Sequence, residues 1–188
     1  MKTTAENRLP LNEGITRKEI NALLSEPGLV SEPRAILPQA NDFNRVIEIL
    51  GFMGDQPVTV NEIAMLQGFS RRQADYYLDA LEYLFLVRKI GKATYEPTEL
   101  AIDINCLPCK QKCLRFAKLI LMHPMFRRFF KDCASQEMIC TRADAISMLK
   151  DNGYSVDDSA TLQRRAGTIR CWIAWIYSLA WDVRMDYA

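Results

Sequence analysis

With 188 residues, 49% hydrophobic and 25% charged, the chain has an ordinary soluble composition and enough apolar material for one compact domain or two small ones. The richest apolar stretch, Leu114 to Phe130, is excluded as a membrane span by Arg115, Lys118, Arg127 and Arg128, and Met1 to Leu9 holds no apolar signal core, so a cytoplasmic protein with no membrane contact is expected. A formal net charge of +1 does not announce a nucleic-acid binder, which shifts the weight to the distribution of charge.

Residues 1–40 read as an arm with one short helix. Thr16 and Glu19 have capping-box spacing, and Ile20, Leu23 and Leu24 supply a small apolar face. Pro27, Gly28, Pro33 and Pro38 then break any longer element. Such an arm is expected to pack on the body or on a partner.

Residues 41–98 carry the clearest pattern. Phe43, Val46, Ile47, Ile49 and Leu50 fall at helical spacing and predict a helix ending at Gly51 and Gly54. Thr59 and Glu62 form a second capping box, opening a short helix with Ile63, Leu66 and Met65 as its apolar face and a stop at Gly68. Ser70 and Gln73 form a third, opening a longer helix with Ala74, Tyr77, Leu78, Leu81, Leu84 and Phe85 along one side. A β-ribbon should follow, Leu86 to Ile90 and Ala93 to Glu96 around a turn at Gly91-Lys92.

Residues 99–188 read as helical. A long region from about Cys109 to Phe130 should be kinked or restarted at Pro124, and a shorter helix is opened by Thr141. The last runs from about Ser159 to Trp181, with Leu162, Ala166, Ile169, Ile173, Ile176 and Ala180 as a continuous stripe. The stretch from Glu62 to Arg72 is weakly echoed from Ala145 to Arg165, a short amphipathic helix leading to a longer one with paired arginines.

Helix, short helix, tight turn, longer helix and ribbon is the order of a winged helix-turn-helix. The expected fold is therefore mostly α: a winged helix-turn-helix with a small β-ribbon over 41–98, then a helical C-terminal unit packed on it over 99–188, with the outline of a second helix-turn-helix.

In such a fold Arg71, Arg72, Gln73 and Tyr76 open the recognition helix, where side chains meet base edges in the major groove. Arginine pairs with guanine and glutamine with adenine through two hydrogen bonds each. Lys89 and Lys92 on the ribbon would reach phosphates. The competing reading makes Arg71 and Arg72 solvated residues paired to Asp75, and Asp79 and Glu82 add negative charge further along the helix. DNA contact then requires the helix to enter the groove by its N-terminal end.

A second basic constellation joins Arg164, Arg165, Thr168 and Arg170 to the stretch Lys110 to Lys131, which holds seven basic residues and no acidic one. A solvated helix face accounts for that spacing equally well. Trp172, Trp175 and Trp181 read as core or interface rather than base-stacking platforms. Six cysteines in a cytoplasmic chain suggest free thiols. Cys106, Cys109 and Cys113, with His123, Cys133 or Cys140 as a fourth ligand, lack a second close pair to complete a zinc site, so buried structural thiols and no metal or other cofactor are expected. Catalysis is poorly supported: His123 is the single histidine, there is no glycine-rich phosphate loop, and no Asp or Glu has lysine two positions after it, as magnesium nucleases often do.

Arg72-Gln73-Ala74-Asp75-Tyr76-Tyr77, then Ala80, Tyr83-Leu84 and Leu86, resembles a winged-helix module of bacterial restriction-system proteins and their uncharacterised relatives. Thr161-Leu162-Gln163-Arg164-Arg165-Ala166-Gly167-Thr168-Ile169 and Trp172-Ile173-Ala174-Trp175-Ile176 resemble its closing helix, so the likeness covers roughly residues 41–180. It implies recognition of double-stranded DNA, often coupled to a separate nuclease or methyltransferase. The missing nuclease motif points to a stand-alone regulator or recognition subunit without enzymatic activity, partnered by itself or by such an enzyme. The rivals are a protein-interaction module docking through the Trp-rich C-terminal helix, favoured by the acidic residues of the recognition helix, and a small metal-dependent enzyme organised by the cysteines.

Overall fold

The computed structural model of the chain describes residues 14–29, 37–135, 141–154 and 159–181. Pro33 and Cys140, singled out above, lie outside them, as do residues 155–158 between the last two helices.

The winged-helix order is present. Helices α1 (Arg17–Leu23) and α2 (Phe43–Met53) precede strand β1 (Val58–Thr59), α3 (Val60–Gln67), α4 (Arg71–Tyr83), β2 (Val87–Gly91) and β3 (Thr94–Pro97). Then come α5 (Glu99–Asn105), α6 (Cys109–Met122), α7 (Pro124–Ser135), α8 (Arg142–Asp151) and α9 (Ser159–Ala180). No helix among the described residues is long and apolar enough to cross a membrane.

Local chemistry sets the helix starts. Thr16 with Glu19, Thr59 with Glu62, Ser70 with Gln73 and Thr141 with Asp144 form reciprocal capping boxes. In each, the hydroxyl accepts from the third helical amide while the acidic or amide side chain accepts from the cap amide, satisfying two orphan donors. The expected stop at Gly51 is overturned, since α2 runs through it to Gly54 at φ +57. An exposed helical glycine costs only about 1 kcal/mol against alanine, and the next turn buries Met53. Pro124 restarts the chain as expected, because proline disfavours helical backbone at the residue before it and His123 is extended.

The sheet has three antiparallel strands in the order β1-β3-β2, with Val58 opposite Tyr95 and Val87 opposite Pro97. The ribbon expected from the sequence thus gains a two-residue third strand. A bulge between Lys89 and Gly91 carries Gly91 into β2 and moves the turn to Lys92-Ala93. Helix α5, also unanticipated, starts at Thr98, whose hydroxyl accepts from the Ala101 amide and donates to the Phe85 carbonyl.

One buried cluster joins the arm, the winged helix and the C-terminal unit. Phe43 on α2 meets Phe116 at 5.8 Å, Trp172 at 5.0 Å and Trp175 at 4.4 Å between ring centroids. Leu162, Ala166, Ile169, Ile173 and Ile176 are buried along α9, and Ala180 is half-buried. Ahead of α2, the Trp172 indole N–H donates to the Ala40 carbonyl at 2.7 Å and the Thr168 hydroxyl to Asn41 Oδ1 at 2.8 Å. Thr168 and Trp172 therefore fasten the start of the winged helix to α9.

The arm packs on the body. Glu19 pairs with Lys110 at 2.8 Å, Glu26 pairs with Lys118, and the Leu29 amide donates to the Met122 carbonyl at 2.8 Å. Arg127 Nη2 donates to the carbonyls of Leu23, Leu24 and Glu26 at 3.3, 2.7 and 2.6 Å, placing a cation at the negative end of α1.

Candidate nucleic-acid interface

The turn between α3 and α4 is built from Gly68, Phe69 and Ser70. Gly68 takes left-handed backbone at φ +66, and the Phe69 amide closes back on the Ala64 carbonyl at 2.9 Å. Phe69 then stacks on Tyr77 at 4.9 Å, while the Arg45 guanidinium lies over its ring at 5.0 Å and donates to Gln67 Oε1 at 2.7 Å. Tyr77, expected in the core, is half-buried in holding this turn, and burial pushes its hydroxyl up to about 12. Ile63 is buried as expected, with Val60 beside it, but Met65 and Leu66, expected inward, are exposed.

At the start of α4, Arg71 and Arg72 are exposed, and no ion pair among the described residues joins either to Asp75. Arg72 Nε donates to the Tyr76 hydroxyl at 2.6 Å, so those two side chains are ordered together. Gln73 closes the capping box expected of it. Its Oε1 accepts from the Ser70 amide at 3.0 Å and hydroxyl at 2.9 Å, and a bidentate adenine contact would take that oxygen away.

On the ribbon, Lys92 is exposed at the turn. Lys89 lies over the Tyr95 ring at 5.2 Å, and a hydrogen bond with Tyr95 raises its ammonium above the ordinary value. Tyr95 in turn donates to Asp79 at 3.4 Å. Burial, and after it the charge of Asp75, raises the Asp79 carboxyl. Arg88, absent from the expected contacts, is exposed on the same strand and paired across the strands with Glu96. Its basic side chain within the expected ribbon was the available signal.

The second basic constellation is not assembled. Thr168 is 1% exposed, with its hydroxyl committed to Asn41, so it is withdrawn as a DNA contact. Arg164 is exposed, but Arg165 is half-buried with a buried Nε, and Ala166 to Ile169 are buried. Only the opening turns of α9 face outward there. Of the stretch from Lys110 to Lys131, Lys110, Lys118 and Arg127 hold the arm, and Lys112 donates to the Asn105 carbonyl at 3.0 Å at the end of α5.

The thiols divide. Cys113 is buried, but Cys106 is exposed and Cys109 half-buried, so the expectation of buried structural thiols fails at Cys106, which caps the end of α5. Cys133 is disulfide-bonded, against the expectation of free thiols throughout. Among the described residues no group of three or more His, Cys, Asp or Glu is arranged to hold a metal ion. His123 is fully buried, stacked on Tyr83 at 3.9 Å. Trp172 and Trp175 are buried within the chain itself.

A family profile described as a domain of unknown function, DUF7226, matches residues 45–181. The chain belongs to the DUF7226 family. The matched segment holds α3, α4, the sheet and the helices after it, and leaves α1 outside. No curated protein and no solved structure matches the chain.

Proposed function

We propose that this DUF7226 protein is a sequence-specific, non-catalytic binder of double-stranded DNA, serving as a regulator or as the recognition subunit of a restriction system whose nuclease or methyltransferase is a separate chain. The observation that carries the reading is the first turn of α4. It follows a tight left-handed turn, is closed by its own capping box, and presents Arg71 and Arg72 to solvent without carboxylate partners among the described residues. Asp75, Asp79 and Glu82 oppose a helix laid lengthwise along phosphates, so α4 enters the major groove by its N-terminal end, with Lys92 on the flanking backbone. Burial of Trp172 and Trp175, at most 5% exposed, weighs against docking through the Trp-rich helix and leaves only the half-buried Trp181 for it.

Selection from a random duplex pool followed by affinity measurement at several salt concentrations tests this. Arg72→Ala should weaken binding to the selected site by about 1–3 kcal/mol and relax one base position. Lys92→Ala should weaken all sequences alike and lower the salt slope by about one. Plasmid incubated with the protein and magnesium should stay intact. Unchanged affinity in both folded variants would overturn the reading.

A further inference from the structure

We infer that the basic ridge of α6 and α7 is a second contact surface for the phosphate backbone of double-stranded DNA, covered in the free protein by Glu19, Glu26 and the end of α1 in the chain's own N-terminal arm. The inference rests on the DNA-binding reading above, but concerns a different surface.

Lys110 and Lys118 are eight residues apart, two turns along one face of α6. They meet the carboxylates of Glu19 and Glu26, while Arg127 on α7 meets three carbonyl oxygens at the end of α1. Each of these contacts offers a cation an anionic or carbonyl oxygen, the chemistry that a phosphate backbone also offers. Arg115 and Lys131, exposed on the same two helices, make no ion pair among the described residues and extend the basic surface.

The ridge lies inside the matched DUF7226 segment and its cover lies outside it. Helix α1 itself is short and shallowly buried. Helix α1 has seven residues, a length far below what is stable alone in water. Its only fully buried side chain is Ile20, with Ile15 buried just ahead of it. The Glu19–Lys110 pair is exposed on both sides and open to screening. A duplex presents a negative charge about every 1.7 Å along its axis and gains from counterion release, which the carboxylates of Glu19 on α1 and Glu26 just beyond it do not match.

The test uses the full chain, a random-sequence duplex and a salt series, with hydrogen exchange at residues 17–23 reporting arm release. Ile20→Ala leaves the net charge unchanged. It should speed exchange in α1, raise low-salt affinity about tenfold, and steepen the salt slope by about 0.9 for each ridge cation released. Adding Lys110→Gln and Lys118→Gln to that variant should return affinity and slope toward the parent. Faster exchange with unaltered affinity overturns the inference. If neither Ile20→Ala nor Glu19→Gln with Glu26→Gln loosens α1 when DNA is present, the arm is a fixed brace and the inference falls too. Loss of affinity in Arg72→Ala without gain in Ile20→Ala retires the ridge alone. A gain in Ile20→Ala without loss in Arg72→Ala retires the α4 reading alone.

Discussion

The ring of Phe85 lies nearly parallel to that of His123, tilted by 9° with centroids 5.7 Å apart, while Tyr83 stacks on the same imidazole. Phe85 holds φ +62, the only positive φ at a non-glycine residue among those described. It follows the C-cap of α4, where the Leu86 amide reaches the Leu81 carbonyl at 2.9 Å, a position usually given to glycine. The side chain connects the end of α4 to the α6–α7 junction, against left-handed backbone that costs about 1–2 kcal/mol.

Two substitutions separate these effects. Phe85→Ala keeps the strained backbone and removes the stack, and should destabilise the fold by about 1–2 kcal/mol in urea denaturation. Phe85→Gly removes both, and should stand about 1 kcal/mol above Phe85→Ala. An alanine variant as stable as the parent would mean that the stack contributes nothing.

Glycines in α2 and after α3 should respond with opposite signs. Gly51 is helical and exposed, and an added Cβ meets nothing within 4 Å, so Gly51→Ala should stabilise by about 0.5–1 kcal/mol. Gly68 has equal room but left-handed backbone, so Gly68→Ala should cost about 1–2 kcal/mol. Thermal denaturation of the pair checks both, and a stabilised Gly68→Ala would contradict the assigned turn.

Thr168→Val removes the hydroxyl that donates to Asn41 and should cost about 0.5–1.5 kcal/mol, the net worth of one hydrogen bond whose other partner, Asn41, is exposed to water. DNA affinity of the folded variant should not move. Weaker DNA binding at unchanged stability would restore Thr168 to the contact set. Leu81→Ala, a truncation in the core, should cost about 2–5 kcal/mol.

What was legible in the sequence was local. Capping boxes at Thr16, Thr59 and Ser70 depend on residues three apart, and the α9 stripe depends on helical period, so both survive without knowledge of the fold. The misses are tertiary. Val58-Thr59 becomes a strand only because β3 lies beside it. Leu66 is apolar and helically spaced, yet it is exposed while α3 buries Val60 and Ile63. The basic stretch on α6 and α7 left phosphate and solvent both open as partners, while the carboxylates it meets come from the arm about ninety residues earlier.

The arm should loosen in acid before the core does. The hydrogen bond from Lys110, and after it the Thr16 amide, hold the Glu19 carboxyl down from 4.5 to about 2. A carboxyl depressed in the folded state favours folding above its unfolded value, and that contribution fades as pH falls through the folded one. The window therefore runs from about 4.5 down to about 2, with stability lost on acidification. Glu62 and Asp144, lowered mainly by bonds to Thr59 and Thr141, push α3 and α8 the same way. The Glu19 side-chain carboxyl carbon, followed by NMR, should titrate near 2, and the Ile20 methyl resonances should shift with it. Glu19→Gln retains an acceptor for the capping box but no charge, so its arm should be looser at neutral pH and nearly indifferent to acid through this window. A Glu19 midpoint at the ordinary 4.5 in the parent protein would show that Lys110 does not hold it, and would remove the electrostatic half of the arm's attachment.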